Sequence, residues 1–167
     1  MVESQAHNAV YGITTEDVAR HMDSGSVAIA AILGQKVLTV ADLNYLRREV
    51  FANGSVSQSD AEGLFAIERM GLSDLAEWTE FFVEAITDYT VWQMRPTGVV
   101  SETQGEWLLE QVDLAKTMGS LAALCNILAE ADRVPAWLPA AARGRLAAGW
   151  KGVDAAIDAV RDEQLAA

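Results

Sequence analysis

Six apolar residues, Leu75, Trp78, Phe82, Ala85, Tyr89 and Trp92, step along the chain by 3, 4, 3, 4 and 3. That period places them on one side of a helix about five turns long, whereas a strand would scatter them over both faces. The pattern predicts a helix from about Asp74 to Met94 with Trp78, Phe82 and Tyr89 turned inward. It should stop at Arg95-Pro96, because a residue before proline resists the α region. An amphipathic helix of this length must bury its stripe against other elements. The rest of the chain offers helices for that purpose.

Strand signals are scarce and helix starts are frequent. Thr14-x-x-Asp17, Thr39-x-x-Asp42, Ser57-x-x-Asp60 and Ser101-x-x-Gln104 all resemble capping boxes. In each, a hydroxyl can accept from an orphan amide while the later side chain reaches back. Ser73 reads as a further N-cap, placed after Gly71, which can close the preceding helix. Thr15 to about Leu33 has helical tendency, interrupted at Asp23-Ser-Gly-Ser26. Ala140 to Trp150 and Asp154 to Ala167 are alanine-rich and helical, with a break suggested by Gly149 and Gly152. Residues 1–12 lack periodicity and read as a flexible arm before one domain spanning 13–167.

Within that domain two stretches resemble each other at an offset of 62. The Thr39 cap aligns with the Ser101 cap, and Tyr45, Leu46 and Val50 fall on Trp107, Leu108 and Val112. Leu64 and Ile67 then match Leu124 and Ile127 at offset 60, so the second inter-helix turn is about two residues shorter. The expectation is a compact all-α domain of two helical-hairpin repeats, one over about 39–94 and the other over about 101–150.

The turn Asn53-Gly-Ser-Val-Ser57-Gln-Ser-Asp60, set between two helices, resembles the Asp-Gly-x-x-Ser-x-x-Glu turn of TerB-like tellurite-resistance domains. Leu75-Ala-Glu-Trp-Thr-Glu-Phe-Phe82 resembles that family's central helix. Pro96-Thr-Gly-Val-Val-Ser101, with Trp107-Leu108 beyond, is similar to an uncharacterised bacterial branch of the group. The resemblance covers residues 39–138, roughly. It implies an all-helical, intracellular, non-enzymatic domain of two similar halves, connected with acidic metal-binding surfaces, membrane-associated assemblies and stress responses. Asn53 stands where the family has aspartate and Asp60 where it has glutamate, which weakens a first-turn cation site. The second turn, Asp113-Leu-Ala-Lys-Thr-Met-Gly119, keeps an acid but no acid-Gly pair.

Composition narrows the chemistry. Twenty-four acids against 12 Lys and Arg leave a net charge of −12, the opposite of what phosphate backbones attract, so a nucleic-acid partner is excluded. A single cysteine excludes an intramolecular disulfide, and Cys125 falls among core positions, where burial is expected. The apolar run Val27–Leu33 is far too short for a bilayer, and the opening residues carry no basic, apolar leader, so a cytoplasmic location is expected. His7 and His21 sit in no nucleophile–base motif, and no phosphate loop is present. An EF-hand from Asn53 would need Gly at 58 and Glu at 64, where the chain has Gln58 and Leu64. No catalytic residue and no cofactor are therefore expected.

Negative charge remains as the distinctive feature. Residues 54–113 hold twelve acids against Arg69 and Arg95. Glu77, Glu80, Glu84 and Asp88 step by 3, 4 and 4 and share one helix side. With Asp60 and Glu62 they are the candidate metal-binding residues. Two readings stay open: an ordinary solvated face, or a site for weak divalent-cation binding or a basic partner. Trp78, Trp92, Trp107 and Trp137 read as packing residues. Trp150, with Arg143, Arg145 and Lys151, forms a basic-aromatic cluster that could touch a membrane surface or an acidic partner. The expected function is an interaction or stress-response module for an unknown protein partner, with a small-ligand or cation-binding regulator as the alternative.

Overall fold

The structure, a computed structural model, describes residues 15–52 and 55–148, with backbone only for 15–24. Among the described residues seven helices follow in order: α1 (Thr15–Gln35), α2 (Val40–Tyr45), α3 (Gln58–Met70), α4 (Ala76–Thr87), α5 (Glu102–Ala115), α6 (Met118–Glu130) and α7 (Leu138–Ala147). Two of them run on into wider π-helical turns, α2 through Leu46–Val50 and α4 through Asp88–Gln93. No strand is present among the described residues; Val99 and Arg133 make one isolated parallel bridge. The all-α expectation is met.

Local chemistry starts these helices where the sequence predicts. Thr39, Ser57 and Ser101 each accept from the backbone of the residue three on, and that residue's side chain returns the bond. Each reciprocal pair satisfies two amides that have no partner inside the helix. Gly71 closes α3 in the left-handed conformation at φ 62°. A fourth reciprocal cap, Thr117 with Ser120, opens α6. Ser73 does not cap a helix: its Oγ accepts from the Leu75 N–H at 3.2 Å, and α4 begins after Leu75 without a side-chain cap. The Thr14 cap, the 1–12 arm, the Asn53-Gly54 turn, Trp150 and the 154–167 helix lie outside the described residues.

Helix α1 is not interrupted at Asp23–Ser26. Gly25 reads as a breaker in isolation, yet here it lets α3 approach. A Cβ on Gly25 would lie 2.9 Å from Asp60 Oδ1, and one on Gly63 of α3 would lie 2.6 Å from Ile29 Cγ2. Two glycines thus bring α1 and α3 together, and burial of Ile29 and Ile32 offsets a glycine cost of roughly 1 kcal/mol. Helix α3 also packs on α5, while α4 packs on α6, and α6 carries α7. Phe65, Phe82, Leu46, Leu64, Ile67, Ile86, Leu108, Leu124 and Ile127 form the innermost layer, each under 2% exposed.

The apolar stripe holds through Tyr89 and then fails. Trp78, Phe82, Ala85 and Tyr89 are buried, Leu75 is half-buried, but Trp92 is 43% exposed. A π turn closes on the fifth residue instead of the fourth, so it takes up an extra residue and the buried position passes from Ile86 to Val91. Tyr45, expected in the core, is also exposed, and Trp107 is half-buried.

The described tryptophans share one arrangement: each indole N–H donates to a glutamate of another element. Trp78 donates to Glu68 at 2.7 Å, Trp92 to Glu130 at 2.9 Å, Trp107 to Glu62 at 3.0 Å and Trp137 to Glu102 at 2.5 Å. Each bond joins separate elements, α4 to α3, α4's π turn to α6, α5 to α3, and the lead-in of α7 to α5.

Candidate docking site

The four acids on α4 do not act together. Glu80, Glu84 and Asp88 recur every fourth residue and, with Glu130 from the last turn of α6, line an open groove of about 400 Å³ between α4 and α6. Val83, Thr79 and Thr87 supply its apolar atoms, and Asn126 completes the α6 wall. The Asn126 amide is already engaged, donating to Thr87 Oγ1 at 2.9 Å and to Glu130 Oε1 at 3.0 Å. Among the described residues no lysine or arginine lines this groove.

Glu84 and Asp88 also border a smaller cavity of about 250 Å³ on the other flank of α4, with Arg47, Phe51, Val56, Phe81 and Ala85. Arg47 lies over the Phe81 ring, 5.9 Å from its centroid, and donates to the Glu77 carbonyl at 3.2 Å. Burial, and then the negative charges of Glu84 and Glu130, hold the Asp88 carboxyl above its ordinary value of 3.8. Burial and Glu62 likewise raise the Tyr89 phenol above its usual value.

The other nominated acids are elsewhere. Asp60 is buried at the start of α3, where Oδ2 accepts from the Ser57 amide and hydroxyl at 3.2 and 2.7 Å. Its Oδ1 has no hydrogen-bond partner among the described residues and faces Gly25. Glu62 accepts from Gln58 and Trp107, joining α3 to α5. Glu77 lines neither cavity. Asp60, Glu62, Glu77, Glu80, Glu84 and Asp88 therefore do not converge. Among the described residues no group of three or more His, Cys, Asp or Glu is placed to hold a metal ion.

Cys125 is exposed, not buried, because α6 turns Leu124 and Ile127 inward and leaves position 125 on the outer side. The side chains of His7 and His21 lie outside the described residues. No described helix is long and apolar enough to cross a membrane. The sequence pattern missed Asn126 and Glu130. Their four-residue spacing on an otherwise apolar helix was the available signal, but nothing local tied them to α4. No protein-family model, curated protein or solved structure matches this chain.

Proposed function

We propose that the chain is a non-enzymatic interaction module of TerB-like construction that docks a protein partner in the groove between α4 and α6 and serves a stress response, tellurite resistance being one candidate. The observation that carries this reading is the groove itself: an apolar floor walled by a regular row of acids with no cation among the described residues that line it. Surfaces of that kind attract and orient a complementary partner more than they perform chemistry.

Matched positions support the two-unit construction. Leu46 pairs with Leu108, Val50 with Val112, Leu64 with Leu124 and Ile67 with Ile127, all buried. The caps pair too, Thr39 with Ser101 and Ser57 with Thr117. Each unit is tied off by the same backbone bond, Leu38 N–H to the Leu72 carbonyl and Val100 N–H to the Arg133 carbonyl, both 2.9 Å. The offset extends backward as well, since buried Ile29 matches buried Val91. This favours units phased one helix earlier than the sequence pattern suggests, α1–α3 and α4–α6, with α1 on α3 answering α4 on α6.

A photo-crosslinking residue placed at Val83, in the groove, tests the docking reading against one placed at exposed Glu110 on α5. A discrete cross-linked species from position 83 alone supports it, and equal products from both positions overturn it. Growth of a deletion strain on tellurite decides that part separately. Divalent-cation binding is the second reading, favoured by the carboxylates of Glu84, Asp88 and Glu130 lining one groove. Calorimetric titration with Ca²⁺ and Mn²⁺ at about 0.15 M monovalent salt tests it, because surface attraction is largely screened there. Stoichiometric micromolar binding would put that reading first.

A further inference from the structure

Resting on the docking reading, we infer that the α4–α6 groove takes an amphipathic helix of a partner protein, one carrying Lys or Arg at every fourth residue beside an apolar stripe. Glu80, Glu84 and Asp88 rise by about 6 Å per step at 1.5 Å per residue, and so does a basic row of the same spacing on an opposing helix. A third helix laid between α4 and α6 sets its side-chain ridge into their groove, the ordinary way helices pack. Val83 and the Thr79 methyl group meet its apolar stripe, and the acids on α4 meet its basic row. Glu130 closes the far wall.

An aromatic anchor stands next to Glu130, outside the groove's own lining. Trp92 is 43% exposed, and its indole donates to Glu130 Oε2, which places the ring beside the α6 wall. Exposed tryptophans fixed by a hydrogen bond are well suited to carry interface energy. Charge disfavours the opposite occupants: an anionic membrane surface, a nucleic acid or an acidic segment meets four carboxylates and no cation among the described residues lining the groove.

The probe is a fluorescein-labelled helical peptide of about 18 residues, with Lys at every fourth position and Leu beside it, titrated by anisotropy in about 0.15 M salt. A scrambled peptide of the same composition controls for charge alone. The patterned peptide should bind at least about tenfold more tightly than the scrambled one, since apolar contact needs the stripe. The double reversal Glu80→Lys/Glu84→Lys should weaken it by roughly tenfold or more and should bind a Glu-for-Lys version of the peptide instead. Both positions are exposed, so folding is expected to persist, and the exchanged pair shows that the variant is intact. Reversing exposed Glu106 and Glu110 on α5 should change affinity by less than about twofold.

Equal binding of both peptides, indifference to the α4 reversal, or equal loss from the α5 reversal would each overturn the inference. A partner cross-linked at position 83 alongside failure of the patterned peptide would remove only this inference and leave the docking reading standing. A saturable response to Ca²⁺ or Mn²⁺ with none to the peptide would remove both.

Discussion

Truncating Phe82 tests the packing of the whole domain at one point. The ring is fully buried, meets Phe65 edge-on at a centroid distance of 5.1 Å and lies 5.8 Å from the Trp78 ring. Phe82→Ala removes the ring from between α3 and α4 and leaves a cavity that two large aromatic neighbours cannot readily fill. The transfer and cavity terms together give a loss of roughly 3–5 kcal/mol, and the two lost aromatic contacts place the expected value in the upper part of that range. Against a typical total of about 5–15 kcal/mol, such a loss is a large fraction of the stability. It corresponds to a fall in Tm of roughly 6–20 °C for a chain of this length. Urea melts followed by helical circular dichroism, with the slope checked against the parent, measure it. Phe82→Leu keeps most of the volume and should lose less than half as much. A loss below about 1 kcal/mol for the alanine variant would show that α4 does not present this face to the core.

Gly63→Val should destabilise by about 2 kcal/mol or more, because its Cβ alone would sit 2.6 Å from Ile29 Cγ2. Gly34→Ala, at an open helical position, should instead gain roughly 0.5–1 kcal/mol, and thermal melts showing the same sign for both would refute the α1–α3 crossing. Glu68→Leu should cost about 1–3 kcal/mol by leaving the buried Trp78 N–H without an acceptor, while Glu68→Gln, which keeps a carbonyl, should cost less. Equal melts for the two variants would count against the bond. Asp88→Asn should raise Tm at neutral pH. The folded-state value of this acid lies above 3.8, so the strain is present above the folded value and absent once both states are protonated below 3.8. A gain that persisted unchanged into that acid range would refute the assignment.

The parts of the fold that depend on short-range chemistry were readable from the chain. Three capping boxes, the Gly71 stop and the inward stripe from Trp78 to Tyr89 each involve residues within a turn or two of one another. The Thr117 cap escaped because its returning group is Ser120, shorter than the Glu or Gln that marks the motif. The continuity of α1 escaped because a glycine's local preference cannot announce that α3 will pass against it. The exposure of Trp92 escaped because a 3.6-residue period carries no sign of the π turn at Asp88. At the candidate site, the acid row on α4 was legible as spacing, whereas Glu130 and Asn126 were not, since only tertiary packing sets α6 opposite α4.

The acidic composition itself divides once the acids are followed to their partners. Glu62, Glu68, Glu102 and Glu130 accept indole protons from residues 45, 10, 35 and 38 positions away. Asp42 and Asp60 close helix N-termini, where the dipole favours a carboxylate, and Asp113 holds Arg145 through two bonds. Those acids are explained by the folding of this chain alone. Glu80, Glu84 and Asp88 are different: among the described residues none of the three makes an ion pair, and burial, then the charges of Glu84 and Glu130, hold the Asp88 carboxyl above its ordinary value. Along the groove this row meets no cation among the described residues, so a partner's positive charge would complement it. A bound cation could supply it only in part, since Glu80 and Asp88 stand about 12 Å apart along the axis. A basic helix of matching spacing compensates all three at once, which is why the docking reading accounts for the arrangement better than chelation does.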